Sequence, residues 1–311
     1  MKFLRKPKRK FVVIEVEGGL GNTLFQYAAA KYLANRISAD ILVSKRHIGK
    51  AKTNHGFYLS NILPGVKFQE KNFLSRLWIM DWLISIYDSI IDRVARKSNT
   101  LSSLITYVFK SYHSNVIGFD ANLDVINVPV NMRGYFQTWK YAETLFGHDG
   151  FIPQLEKSTV WYSEMSQLAK DVQPIVMHVR RGDYQDHGDR YGILSNKYYL
   201  NALQIIPDEL RNTPIWVFSD EIVLAKQSLI RDLPTSTIWI DPPRNSNPAE
   251  SFMLMTYGRA HIIANSTFSY WAAQFSLTSQ LVIAPKKWFK QMVDPQDLMN
   301  PSWRLVDSEW V

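Results

Sequence analysis

His178, Arg180, Arg181 and Asp183 fall together in the stretch HVRRGDY, residues 178–184, directly after the apolar run PIVM. Two adjacent arginines beside an acid are also what a solvated ion-pair cluster looks like, so their place in the fold decides. In an open parallel sheet, ligands sit beyond the carboxyl ends of the strands. A guanidinium placed there donates two parallel hydrogen bonds to a phosphate, which makes the arginine pair a candidate anion grip. A second constellation is HIIANSTFSYWAAQF, residues 261–275. A strand ends at Ala264, and Asn265, Ser266 and Thr267 are capping residues. Phe268, Trp271, Ala272 and Phe275 then follow at helical spacing. A polar turn that opens a helix is an anion site, because its first backbone N–H groups are unpaired. An ordinary capped helix has the same pattern, and the turn gains weight from lying close to the arginines in the strand order.

The remaining chemistry is narrowed by absences. The turn EGGLGN, residues 17–22, has Leu24 where a dinucleotide fingerprint needs its third glycine. Asp40, near the start of the next strand, still leaves an NAD-dependent oxidoreductase as a rival. There is no phosphate-binding G-x-x-x-x-G-K-[ST] loop, H-E-x-x-H pair or G-x-S-x-G elbow. Nor is there an Asp-x-Asp pair to hold a divalent cation against a diphosphate. The expectation is a site with no metal and no cofactor, neutralising phosphate with arginine and a helix end.

These residues need strands to carry them. FVVIEVE (11–17), a glycine turn, the helix TLFQYAAAKYLANR and ADILVS (39–44) form a βαβ unit. Leu24, Phe25, Ala28, Ala29, Tyr32 and Leu33 share one helical stripe. Residues 131–146 read as a short strand running into a helix. From about 172 the alternation is regular, with strands at 174–179, 214–219, 236–241, 261–264 and 280–285, and helices near 196–206, 221–231, 248–259 and 266–278. This pattern implies a parallel, doubly wound sheet. The fold class is α/β, two Rossmann-type halves with a ligand cleft between them: residues 1–165 and residues 166–311.

The net charge of +8 is not spread over the chain. Lys2, Arg5, Lys6, Lys8, Arg9 and Lys10 supply six of the 36 basic residues, leaving 30 against 28 acids elsewhere. A nucleic-acid binder needs its basic residues along a face, so nucleic acid is excluded as a partner. An arm at residues 2–10 suits peripheral contact with an anionic membrane, or is a solvated tail. It lacks the apolar core of a secretory signal. The most apolar stretch, residues 77–95, carries Asp81, Asp88, Asp92 and Arg93, too many charges for a spanning helix. It reads as a helix packed on its own domain or lying on a membrane surface. Without cysteine there are no disulfides and no thiolate chemistry. The expected location is cytoplasmic, at most peripheral at the inner face of the membrane.

Taken together, GGLGNTLFQYAAAKYLA (18–34), RGYFQTWKY (133–141), HVRRGDY, FMLMTYGRAHIIANSTFSYWAA (252–273) and VIAPKKWF (282–289) resemble glycosyltransferase family eleven, the alpha-1,2-fucosyltransferases of bacteria and animals. The resemblance implies a GT-B-like fold and transfer of L-fucose from GDP-beta-L-fucose to the 2-hydroxyl of a galactoside, with inversion and without metal. It places that activity in bacterial surface glycan synthesis, such as lipopolysaccharide. It implies that the C-terminal domain holds the nucleotide and the N-terminal domain the acceptor. Arg180 would then hold the donor phosphate, His178 lie near guanine or ribose, and Asn265, Ser266 and Thr267 lie near the diphosphate. Ser219 and Asp220 become nucleotide-side candidates, while Gly21 and Asn22 face fucose and acceptor. Arg181 holds the loop, for instance through Asp183. Asp183 is the first candidate for taking the acceptor proton, with Asp186 and Asp189 close behind. The chain departs from the family pattern at Thr23, where glutamine is usual, and at Ser251, where an acid is usual; Glu250 alongside is the substitute for reading the donor. Another GDP-sugar or linkage, or a non-catalytic carbohydrate-binding protein, remain the alternatives.

Overall fold

The structure is a computed structural model in which residues 10–46, 48, 58–69, 110–145, 152–182 and 188–311 are described. The chain divides into two compact units. Unit 1 holds Met1–Gly18, Asn22–Asn54 and Gly65–Gly150; unit 2 holds Gly19–Gly21, His55–Pro64 and Phe151–Val311. The basic arm, apart from Lys10, and the aromatic stretch 77–95 lie outside the described residues.

In unit 1, β1 (Phe11–Glu15) leads through α1 (Leu20–Ile37) to β2 (Asp40–Ser44). Two three-residue strands follow, β3 (Ser111–His113) and β4 (Asn131–Arg133). All pairings are parallel and the order is β2-β1-β4-β3. Val12 and Ile14 on the sheet, and Leu24, Phe25, Ala28, Ala29 and Leu33 on α1, are fully buried, because a parallel sheet needs a helix across its face. Tyr32, expected on the same stripe, sits at its margin and donates its hydroxyl to Asp124. Arg36 ties the end of α1 to the carbonyls of Leu123 and Asp124. The helix expected after β4 begins with the single α-turn Trp139–Ala142, capped by Thr138, and continues as a 3-10 turn over Glu143–Leu145.

The C-terminal part of unit 2, from Phe151, begins with α2 (Val160–Val172), which a domain boundary at 165 would cut in two. Then come β5 (Ile175–Val179), α3 (Asn196–Gln204), β6 (Ile215–Ser219), α4 (Ile222–Leu229), β7 (Ile238–Trp239), α5 (Pro248–Met255), β8 (Ala260–Ile262), α6 (Thr267–Gln274), β9 (Leu281–Pro285) and β10 (Arg304–Val306). The sheet is wholly parallel, ordered β10-β9-β8-β5-β6-β7. Every residue of β5 is buried, which is why it reads as an apolar run rather than an alternation. Ile175, Met177 and Val179 pack into one core with Tyr198, Tyr199, Ala225 and Leu229. By the two-residue period of a strand, His178 therefore points to the opposite face. There its ring centroid lies 6.1 Å from that of Phe268, which packs edge-on against Phe252 of α5.

The chain runs outward from β5 to β6 and β7, then returns to β8 and runs the other way. The order reverses between β5 and β8. Ligands bind open α/β sheets outside the carboxyl ends of strands at such a reversal, and both constellations picked from the sequence leave the sheet there.

Candidate functional site

Register fixes the first group. Val179 pairs with Ser219, so Arg180 and Asp220 leave neighbouring strands side by side. The Asp220 carboxylate gathers the loop: Oδ1 accepts from the Arg181 amide at 2.9 Å and Oδ2 from the Gly182 amide at 2.9 Å. Oδ2 also lies 3.1 Å from Arg180 Nε. The loop passes so close that a Cβ on Gly182 would sit 2.5 Å from Oδ2, a clash no larger residue avoids. Ser219 Oγ accepts from the Glu221 amide at 3.0 Å, shaping the same turn.

The two arginines divide their work. Arg180 pairs with Asp220 at the strand end, with both side chains about one-fifth exposed. Arg181 turns inward, donating from Nη1 to the Leu194 carbonyl at 2.7 Å and from Nη2 to Asn196 Oδ1 at 3.3 Å. Its guanidinium lies 5.8 Å from the Tyr199 ring centroid, and burial pushes the Tyr199 hydroxyl up to about 12 against the pull of that charge. Asp183, expected to hold Arg181, and Asp186 lie outside the described residues. Asp189 is exposed on a short helix. His178 is held near pKa 4, first by burial and then by the charge of Arg180, so it is neutral at physiological pH. Its Nδ1 is buried with no hydrogen-bond partner among the described residues.

The second group arrives from β8. Met177 pairs with Ile262, which brings the residues after Ala264 level with those after Val179. Asn265 is buried, and its Nδ2 donates to the carbonyls of Tyr191, Gly192 and Trp288 at 3.1–3.2 Å. It is a tether that fixes where α6 begins. Ser266 is the N-cap of α6, with no side-chain cap bond. Gly21, which groups with unit 2, runs against Thr267: a Cβ there would lie 2.3 Å from the Thr267 carbonyl carbon.

Glu250 departs from its expected place. It is buried, with Oε1 accepting from the Thr159 amide at 2.6 Å and Oε2 from Thr159 Oγ1 at 2.9 Å. Thr159 in turn caps α2 by accepting from the Tyr162 amide at 3.2 Å. A carboxylate is stabilising beside a helix N-terminus, and both of its oxygens are engaged there rather than at the strand ends. In unit 1, Asn22 Oδ1 accepts from Gln137 Nε2 at 3.1 Å. The residues spacing did not single out are Asn196 and Gln137. Gln137 lies inside the stretch RGYFQTWKY, and no local signal marks it from its neighbours. Among the described residues there is no group of three or more histidines or acids placed to hold a metal ion, and no helix long and apolar enough to cross a membrane.

The sequence model of glycosyl transferase family 11 matches residues 11–307. The chain belongs to that family. It is a glycosyltransferase. An alpha-1,2-colitosyltransferase of Escherichia coli is 25% identical over 295 residues, covering 90% of this chain and 93% of the relative. The O-antigen biosynthesis glycosyltransferase WbnK, also of Escherichia coli, is 27% identical over 296 residues, covering 88% and 93%. Among solved structures, fucosyltransferase NodZ from Bradyrhizobium superposes with a TM-score of 0.52 at 13% identity, over 92% of this chain and 99% of NodZ. Crystals of NodZ alpha-1,6-fucosyltransferase soaked with GDP-fucose give 0.51 at 14%, over 93% and 100%. At that identity the likeness is one of fold: the family 11 chain is GT-B-like, built of two Rossmann-type units.

Proposed function

We propose that this family 11 glycosyltransferase moves L-fucose from GDP-beta-L-fucose to the 2-hydroxyl of a galactoside, with inversion and without metal, in the assembly of a bacterial surface polysaccharide. The observation that carries the proposal is the strand reversal of unit 2. One edge gathers Arg180 clamped by Asp220, a neutral His178, and the N-terminal end of α6. Such an edge suits a diphosphate: the arginine supplies charge and a planar fork, and the helix end supplies N–H groups and a dipole of the right sign.

In the proposed reaction an acceptor hydroxyl oxygen attacks the anomeric carbon on the face away from the phosphate. The bond from that carbon to the diphosphate oxygen breaks and its electron pair leaves with GDP. The hydroxyl proton passes to a carboxylate or to water, and Asp183 is the first carboxylate to test. Negative charge grows on the departing phosphate, so a contact with Arg180 tightens in the transition state and lowers the barrier. Arg181, Asp220 and Asn265 hold the frame on which that contact depends.

A second donor is favoured by one observation, the relationship to an alpha-1,2-colitosyltransferase. Colitose lacks one hydroxyl of fucose. A site that pairs that hydroxyl rejects the deoxy sugar by a large factor, and a site that does not pair it discriminates little. A donor screen decides: purified protein, GDP-fucose, GDP-colitose and GDP-mannose, each with several galactosides, following GDP release and then determining the product linkage. Turnover confined to GDP-fucose with a 1,2-linked product supports the proposal. Preference for GDP-colitose replaces the donor, and no turnover with any of the three overturns the proposed transfer of fucose to a galactoside.

A further inference from the structure

The stretch RGYFQTWKY has no role in the site of unit 2, yet its backbone is tightly constrained. Gly134 has φ +151°, where a Cβ would meet Ser114 and the Phe136 ring. Phe136, fully buried, has φ +53°, a conformation that costs a bulky residue about 1–3 kcal/mol and persists only where surrounding structure imposes it. The turn is held by the Gln137 amide donating to the Ile117 carbonyl at 2.6 Å and by the Thr138 amide donating to Phe136 at 2.9 Å.

This turn leaves β4 beside the exit of β1, where the strand order of unit 1 reverses. Arg133 lies 3.5 Å from Glu17, whose amide donates to Gln26 Oε1 at 3.0 Å. Gln137, itself buried, donates from Nε2 to Asn22 Oδ1. Across from it, Gly18 (φ +81°) makes room for the other end of the same amide: a Cβ there would lie 2.6 Å from Asn22 Nδ2. Asn22 is only partly buried. With Oδ1 accepting from Gln137, the amide is turned so that Nδ2 points away from Gln137, a donor suited to a sugar hydroxyl oxygen.

We propose that Gln137 is a positioning residue, fixing which end of the Asn22 amide faces the acceptor sugar. This rests on the transfer reaction proposed above and on the acceptor-side role that the family resemblance implies for the N-terminal domain. Gln137→Glu replaces the donor with an acceptor, so the Asn22 amide must turn round to satisfy it and present Oδ1 instead. The expected result with a galactose-terminated oligosaccharide is an acceptor KM about tenfold higher, a difference of one hydrogen bond, while GDP affinity stays near wild type; the buried carboxylate lowers the melting temperature. Asn22→Ala gives a similar loss, and the double variant is no worse than Asn22→Ala alone. Gln137→Met, with neither donor nor acceptor, gives an intermediate KM and serves should the charged variant fold poorly. Losses that multiply in the double variant, or a wild-type acceptor KM in both Gln137 variants, overturn the positioning role. Losses that fail to multiply but appear in the donor KM leave the positioning of Asn22 standing and overturn the assignment of unit 1 to the acceptor.

Discussion

Asp220 offers the sharpest test of the unit 2 site, because one carboxylate accepts from two backbone amides of the loop and forms an ion pair with Arg180. Hydrogen bonds to a charged group contribute about 1.5–3 kcal/mol each, and water replaces part of this where the group is partly exposed. Asp220→Ala should therefore cost about 2–4 kcal/mol, a fall of roughly 5–15 °C in melting temperature for a unit of this size. The larger effect falls on turnover. With Arg180 no longer held by its counter-charge, kcat should drop by about two to three orders of magnitude, as for loss of one preorganised electrostatic contact. Asp220→Asn keeps one acceptor but turns an NH2 group toward a backbone N–H, so it should recover stability in part and rate hardly at all. Arg180→Ala should match the kinetic loss without the full thermal one, and Arg180→Lys should recover only part, since an ammonium lacks the fork. Because both residues act through one contact, the double alanine variant should be little slower than Arg180→Ala alone. The assays are GDP release with acceptor present, calorimetric GDP affinity and thermal melts. Near-normal kcat in folded Asp220→Ala, or losses that multiply in the double variant, would refute the clamp.

Acid sensitivity follows from two buried histidines: burial holds both His178 and His261 near pKa 4, below their ordinary 6.5. Below pH 6.5 the unfolded chain takes up protons that the folded chain refuses, so stability is intact above that pH and is lost as pH falls toward 4. The two together should cost about 4 kcal/mol between pH 7 and pH 5, and melts of His261→Gln should show about half that slope. Glu250→Ala strands the Thr159 amide and hydroxyl and should cost about 2–3 kcal/mol with GDP affinity unchanged; a tenfold loss of GDP affinity would return Glu250 to the donor site. Transfer should survive excess chelator, with added Mg²⁺ changing the rate only as ionic strength does, and a loss restored by one cation would end the metal-free mechanism.

What could be read ahead of the structure depended on range. The strands β5, β6, β8 and β9 were visible because a strand buried on both faces is a short apolar run with a turn at each end, a property of five or six consecutive residues. For the same reason HVRRGDY and ANSTF could be placed at strand exits. β10 was not visible: Arg304 and Leu305 are exposed, and the strand is held by main-chain pairing with β9 rather than by an apolar face. β7 shrank to two residues, since Ile238 is itself exposed. The polar partners were beyond reach. Asp220 meets Arg181 across 39 residues, Glu250 meets Thr159 across 91, and Gln137 meets Asn22 across 115. Each pairing depends on the register of elements far apart in the chain, and no local period encodes register between strands joined by a crossover. Composition fixed that Arg180 and Arg181 were both arginines at a strand end. Only the pairing of Val179 with Ser219 decides that Arg180 takes the aspartate while Arg181 goes inward to Leu194 and Asn196. A motif thus names the residues able to do the chemistry, and the strand register assigns them their tasks.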